Sequence, residues 1–199
     1  MIIKGAGVIR VNEYKREYPL FSLCGLNCGL CPRYHTNGTS KCPGCGGEDF
    51  YLKHPSCAVI NCSRKHGNSE YCYQCKLFPC EKYTRPNTSD SFISYINVNT
   101  DLEKAKCDII NYKSELNEKV EILRFLLDNF NDGKRKNFYC LAVNLLELED
   151  LREIAAEIKD KISSMASSDK DKIQKIVLLF QNKAGEYGVD IKLRKQEAK

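Results

Sequence analysis

The sequence predicts a small, irregular, metal-stapled cysteine-rich domain of zinc-knuckle or ribbon-like type, followed by a mainly α-helical region with a short C-terminal strand. Three observations carry this. Ten of the twelve cysteines lie between positions 24 and 80. Residues 32–75 are rich in Gly, Pro, Asn and Ser and show no sustained apolar period. Beyond residue 100, apolar residues recur at helical spacing. The expected divisions are residues 1–83 for the cysteine-rich domain (core 24–80), 84–99 for a linker, 100–194 for the helical region and 195–199 for a frayed tail.

In the first division metal replaces a missing core. A segment of this size buries too little apolar surface to fold unaided, whereas structural zinc supplies roughly 10–16 kcal/mol of apparent binding energy in zinc-finger peptides. The polar stretch TRPNTSDSFISYINVN then leads to Thr100, Asp101, Leu102 and Glu103, a capping-box pattern that predicts a helix start. Leu116, Val120, Leu123, Leu127 and Phe130 continue at helical spacing until Asn131, Asp132 and Gly133 interrupt them. Phe138, Leu141, Leu145 and Leu148 form one apolar face, and Leu151, Ile154, Ile158 and Ile162 another. Ser167, Ser168 and Asp169 mark a stop and restart before Ile173, Ile176, Val177, Phe180 and Ala184. The alternation Tyr187, Val189, Ile191, Leu193 has the period of a strand.

At 199 residues, 42% hydrophobic and 29% charged, the composition is that of a folded globular protein. The opening MIIKGAGVIR has only brief apolar runs, and no later stretch approaches the ~18–20 apolar residues of a membrane-spanning helix. Neither a signal peptide nor a membrane anchor is expected. The expected location is the reducing cytoplasm, where clustered cysteines read as thiolate ligands rather than disulfides.

The net charge of +5 lies wholly in the cysteine-rich half: residues 1–100 carry twelve Lys and Arg against seven Asp and Glu, the remainder nineteen of each. Zinc held by four thiolates has a net charge of −2, so two such sites bring the total to about +1. That removes most of the electrostatic case for nucleic-acid binding.

The candidate ligands are Cys24, Cys28, Cys31, Cys42, Cys45, Cys57, Cys62, Cys72, Cys75 and Cys80. Two thiolates separated by two residues can reach one ion because a tight turn carries both side chains to the same side while its amides face the sulfurs. Cys28/Cys31, Cys42/Cys45 and Cys72/Cys75 have this spacing. The most economical partition gives Cys28, Cys31, Cys42 and Cys45 to one zinc and draws the second site from Cys57, Cys62, Cys72, Cys75 and Cys80. Ten cysteines exceed the eight that two closed sites need, so Cys24 or Cys80 could be spare. His35, His54 and His66 are near enough in sequence to substitute, with surface histidine as the bland alternative.

CGLNCGLC also has the x3-x2 spacing of radical-SAM enzymes, but the strand-helix repeats those enzymes need do not follow. A [4Fe-4S] redox protein is the alternative that spacing alone leaves open, because cysteines next to proline also occur around clusters. The ferredoxin run of four closely spaced cysteines ending in Cys-Pro is absent, and Cys-Pro-Gly-Cys is a zinc-knuckle form, which favours zinc.

The segments CGLNCGLCPRY, KCPGCGG, CAVINC, YCYQCKLFPCEKY and YGVDIKLRK resemble the bacterial and archaeal proteins grouped as domain of unknown function 3795. NDGKRKNFYCLAVNLL and the helices after it resemble the clostridial type of that family. The resemblance implies a zinc-binding role for all ten matching cysteines and brings no established activity.

No catalytic constellation stands out. Glu48, Asp49, Glu70 and Glu81 read as solvated surface, and all-thiolate zinc is usually closed and structural. Cys140 reads as core and Cys107 as neither core nor nucleophile with any force. The function expected is a zinc-binding interaction or regulatory module, not an enzyme, with a protein partner ahead of nucleic acid and no membrane. Tyr34, Phe50, Tyr51, Tyr71, Tyr73, Phe78 and Tyr83, interleaved with Arg33, Lys41, Arg64, Lys65 and Lys76, suit a binding surface. They suit a small core around the metal better. Lys134, Arg135 and Lys136 read as a solvated loop between helices.

Overall fold

A computed structural model of the chain describes residues 14–54, 56–84 and 88–195. The readings made on residues 1–10 and on the end of the tail lie outside them. Among the described residues there are eight α-helices and no strand.

The cysteine-rich half consists of turns and short pieces, as its composition predicts. Two 3-10 turns at Cys28–Leu30 and Gly38–Ser40 precede helices α1 (Phe50–Lys53) and α2 (Ala58–Lys65), and a third at Cys72–Gln74 precedes α3 (Glu81–Thr84). Its own apolar centre is small: Leu23, Cys45, Phe50 and Ile60.

Helix α4 (Val98–Cys107) begins two residues before the expected Thr100, so the capping box is not used. Asp101 is turned inward and accepts a hydrogen bond from Asn27 Nδ2 at 3.0 Å. A break that periodicity does not reveal follows at Asp108, whose carboxylate accepts from the Ile110 and Asn111 amides and caps α5 (Ile109–Phe130). Leu116, Val120, Leu123 and Phe130 are buried, while Leu126 takes the inner position expected of Leu127. Helix α6 (Lys136–Leu145) is buried on nearly every side rather than along one face, with Tyr139, Cys140, Ala142 and Val143 all inside. Helix α7 (Leu148–Glu157) runs into a π turn (Ile158–Ile162) that keeps Ile158 and Ile162 inward with Leu151 and Ile154. Ser168 accepts from the Asp171 amide and starts α8 (Asp169–Glu186), whose predicted apolar residues are all buried.

The expected C-terminal strand does not form among the described residues. Val189 and Ile191 do pack against the core, but Tyr187 and Leu193 remain exposed. Alternation without a neighbouring strand has no ladder to join. This segment instead straps the fold, with Tyr187 Oη donating to Asp150 and Arg194 bracketing the Asp90 carboxylate from its backbone amide (2.8 Å) and Nη2 (2.7 Å). Residues around Asp90 are likewise held: Ile93 and Ser94 are buried.

The main core draws on both halves, since Phe21, Leu30 and Tyr71 share it with Leu102, Val120, Tyr139 and Phe180. Asn27, inside CGLNCGLC, is the polar join: it receives a hydrogen bond from Tyr112 Oη at 2.8 Å and donates toward Asp101. Gly25 lets this loop approach α4, because its φ is +92° and a Cβ there would sit 2.6 Å from Leu102 Cγ.

Candidate metal centre

Each two-residue spacing becomes a turn that aims its cysteines together. The Cys31 amide donates to the Cys28 carbonyl at 3.1 Å, and the Cys75 amide donates to the Cys72 carbonyl at 3.0 Å. The CPGCGG turn is fixed by the Cys42 amide on the Arg33 carbonyl and the Cys45 amide on the Pro19 carbonyl. Gly46 (φ +74°) presents its carbonyl to the Arg16 amide, and a Cβ there would lie 2.7 Å from Arg16 Cγ. The Cys72 amide reaches the Leu23 carbonyl, so the last cysteine turn leans on the first.

Arg16 ties these turns together and was not visible as a site residue in the sequence. Its side chain is fully buried, donates to the Phe21 carbonyl at 2.6 Å, pairs with Glu70 at 2.8 Å and lies over the Tyr71 ring. Glu70 is therefore a structural partner rather than a candidate acid. Glu48, Asp49 and Glu81 are exposed.

The cysteines gather in two overlapping groups, with Cys24 close to both Cys28 and Cys72. Burial pushes the Cys28 thiol well above its usual value, and the nearby thiols of Cys45, Cys24, Cys31 and Cys42 add to the shift. Cys57 packs with Cys28, Cys45 and Cys72 around the small apolar centre. On the other side, Cys62, Cys72, Cys75 and Cys80 line one cavity of about 30 Å³ together with His66, Phe78 and Tyr83. Burial raises the Cys72 thiol to about 12, against a lowering hydrogen bond from Tyr83; Cys24, Cys80 and Cys62 raise it further. Cys24 is raised to about 11, mainly by burial, with Ser22 Oγ 3.1 Å from its sulfur. Thiols raised in this way, as those of Cys24, Cys28 and Cys72 are, would take up a dication by releasing protons.

Among the described residues, no group of three or more His, Cys, Asp and Glu side chains is arranged to hold an ion as it stands. The donor set nevertheless fits the group: soft sulfur with imidazole nearby suits zinc, and the second set surrounds a space of about one water molecule. No disulfide links any of the described cysteines.

Two of the three histidines stand beside cysteines: His54 Nε2 lies 3.6 Å from Cys42 Sγ, and His66 Nδ1 lies 3.6 Å from Cys62 Sγ. His35 is bound elsewhere, to the Gly29 carbonyl at 2.7 Å. Cys140 is buried in α6 among core residues, and Cys107 is exposed at the end of α4. Of the aromatics, Phe50 and Tyr71 are buried and Tyr34, Tyr73, Phe78 and Tyr83 half-buried, while Arg33 covers Phe92 and Lys41 covers Tyr34. Arg135 pairs with Asp132, and Lys136 donates to Thr36, which ties the loop before α6 to the cysteine-rich half.

No helix among the described residues is long and apolar enough to cross a membrane. No curated protein and no solved structure is similar enough to the chain to count as a match. Residues 20–85, which contain all ten clustered cysteines, match the family model described as Protein of unknown function (DUF3795), the family that the motifs of this segment resemble.

Proposed function

We propose that the cysteine-rich half is a two-site zinc module whose ions are structural, and that it presents a rigid surface to a protein partner. The observation that carries this reading is the single cavity lined by Cys62, Cys72, Cys75, Cys80 and His66. Cys28, Cys31, Cys42 and Cys45 supply the other site, where mutual proximity supports the partition that spacing suggests. When bound, zinc cross-links the turns and lets neighbouring thiolates stay ionised together. The chain's own residues do the rest: Arg16 and Asn27 hold the turns in register, and Phe50, Ile60 and Tyr83 exclude water from the sulfurs.

The test is anaerobic purification followed by elemental analysis, acid-labile sulfide determination and an absorption spectrum. About two zinc per chain without sulfide is the expected result. Iron with matching sulfide and a band near 400 nm would overturn it in favour of an iron-sulfur redox protein.

A further inference from the structure

We infer that His66 is a ligand of the second metal site, which is therefore a mixed sulfur-nitrogen site rather than an all-thiolate one; the inference rests on the zinc reading above. Cys62 and His66 are four residues apart, at the last turn and C-terminal boundary of α2, so both side chains leave the same face of the helix. Both line the cavity shared with Cys72, Cys75 and Cys80.

The decisive detail is which ring nitrogen is occupied. His66 Nδ1 is 2.9 Å from the Cys62 carbonyl oxygen, a group that can only accept, so Nδ1 carries the proton. That fixes the tautomer with Nε2 as a free lone pair. A backbone carbonyl holding one ring nitrogen so that the other can ligate is the usual outer arrangement of metal-binding histidines. His54 has the opposite disposition, with Nε2 toward Cys42 Sγ, and His35 uses Nε2 on a carbonyl at a distance from the second cavity.

Five donors then surround a site that a tetrahedral ion fills with four. One thiol of Cys62, Cys72, Cys75 and Cys80 is left outside the coordination shell. That surplus makes the second site the exchangeable one of the pair, since an incoming donor can replace a ligand without the ion losing its coordination number.

X-ray absorption at the zinc edge of the intact, zinc-loaded chain tests this directly. Zinc-sulfur distances are ≈ 2.3 Å and zinc-nitrogen distances ≈ 2.0–2.1 Å, so the shells separate. The expected average is close to seven sulfurs and one nitrogen over two ions, with the nitrogen lost in His66→Ala and kept in His54→Ala. His66→Ala should still bind two zinc ions, because the surplus thiol among Cys62, Cys72, Cys75 and Cys80 can take the vacated position and make the shell all sulfur. An all-sulfur shell with two zinc bound in the intact chain, or a nitrogen that disappears in His54→Ala instead, overturns the His66 assignment while the zinc reading stands. A chain that binds no zinc overturns the zinc reading itself.

Discussion

The two halves of this molecule reach order by different means. The helical half has a helix of 22 residues and a core running from Leu102 to Ala184. Among the described residues, the cysteine-rich half has no helix longer than eight residues, and its own apolar centre is four buried side chains. Burying Leu, Ile or Phe contributes about 1.5–3 kcal/mol each, so the helical core can stand on area alone. The cysteine-rich half cannot, and leans on the other half through Phe21, Leu30 and Tyr71; under the zinc reading proposed above, metal at its cysteines supplies the remainder.

Metal removal should separate the halves most sharply. With about 10–16 kcal/mol of apparent binding energy per structural zinc, a strong chelator should abolish amide protection across residues 20–84 while leaving most helical circular dichroism intact. Simultaneous loss of α5 to α8 would mean that the halves do not differ as described.

Within the helical half, Leu123→Ala removes a fully buried side chain and should cost about 3 kcal/mol in chemical denaturation, with zinc content unchanged. Arg16→Ala should cost about 2 kcal/mol, because it leaves the Phe21 carbonyl unsatisfied and separates the CPGCGG turn from Glu70. Zinc loss should accelerate in that variant but not in Leu123→Ala, which would sharpen the contrast.

At the join, burial raises the Asp101 carboxyl to about 6, against lowering contributions from Lys119, Tyr112 and Lys104 and a raising one from Glu147. Between about pH 4 and 6 the folded protein keeps a proton that the unfolded chain has lost. This group's contribution to stability is therefore full below pH 4 and is lost as pH rises through 6. Asp101→Asn should flatten that slope, by on the order of 1–2 kcal/mol, in denaturation midpoints measured across the range. The smallest effect belongs to Cys107→Ser, which should change neither stability nor metal content, since Cys107 is exposed and does not line the cavity of Cys62, Cys72, Cys75 and Cys80.

Much of this contrast was readable in the sequence, because apolar periodicity reports burial directly. The inward residues of α7 and α8 followed from it, as did those of α5 except that Leu126 takes the place expected of Leu127, and the break at Ser167 to Asp169 was marked by its polar residues. What it missed turns on single side chains with two uses. Asp108 looks like any polar residue within a helical run, yet it ends α4 and caps α5. Thr100 and Glu103 fit a capping box but fall inside a helix that starts at Val98. In the site, paired cysteine spacings located the turns, whereas Arg16 and Glu70 are 54 residues apart and carry no local signal. His66 did have one, the four-residue helical spacing to Cys62, but it becomes informative only once CAVINCSRK is known to form a helix.

The clasp between Asp90 and Arg194 spans 104 residues and has a consequence in time. At roughly 5–20 residues per second, a ribosome needs about 5–20 s to add Arg194 after Asp90. For that interval a carboxylate destined for complete burial has no guanidinium to meet. The strap can close only behind the helices that separate its two ends, so the nascent chain should keep the region around Asp90 open to chaperones and proteases until Arg194 emerges.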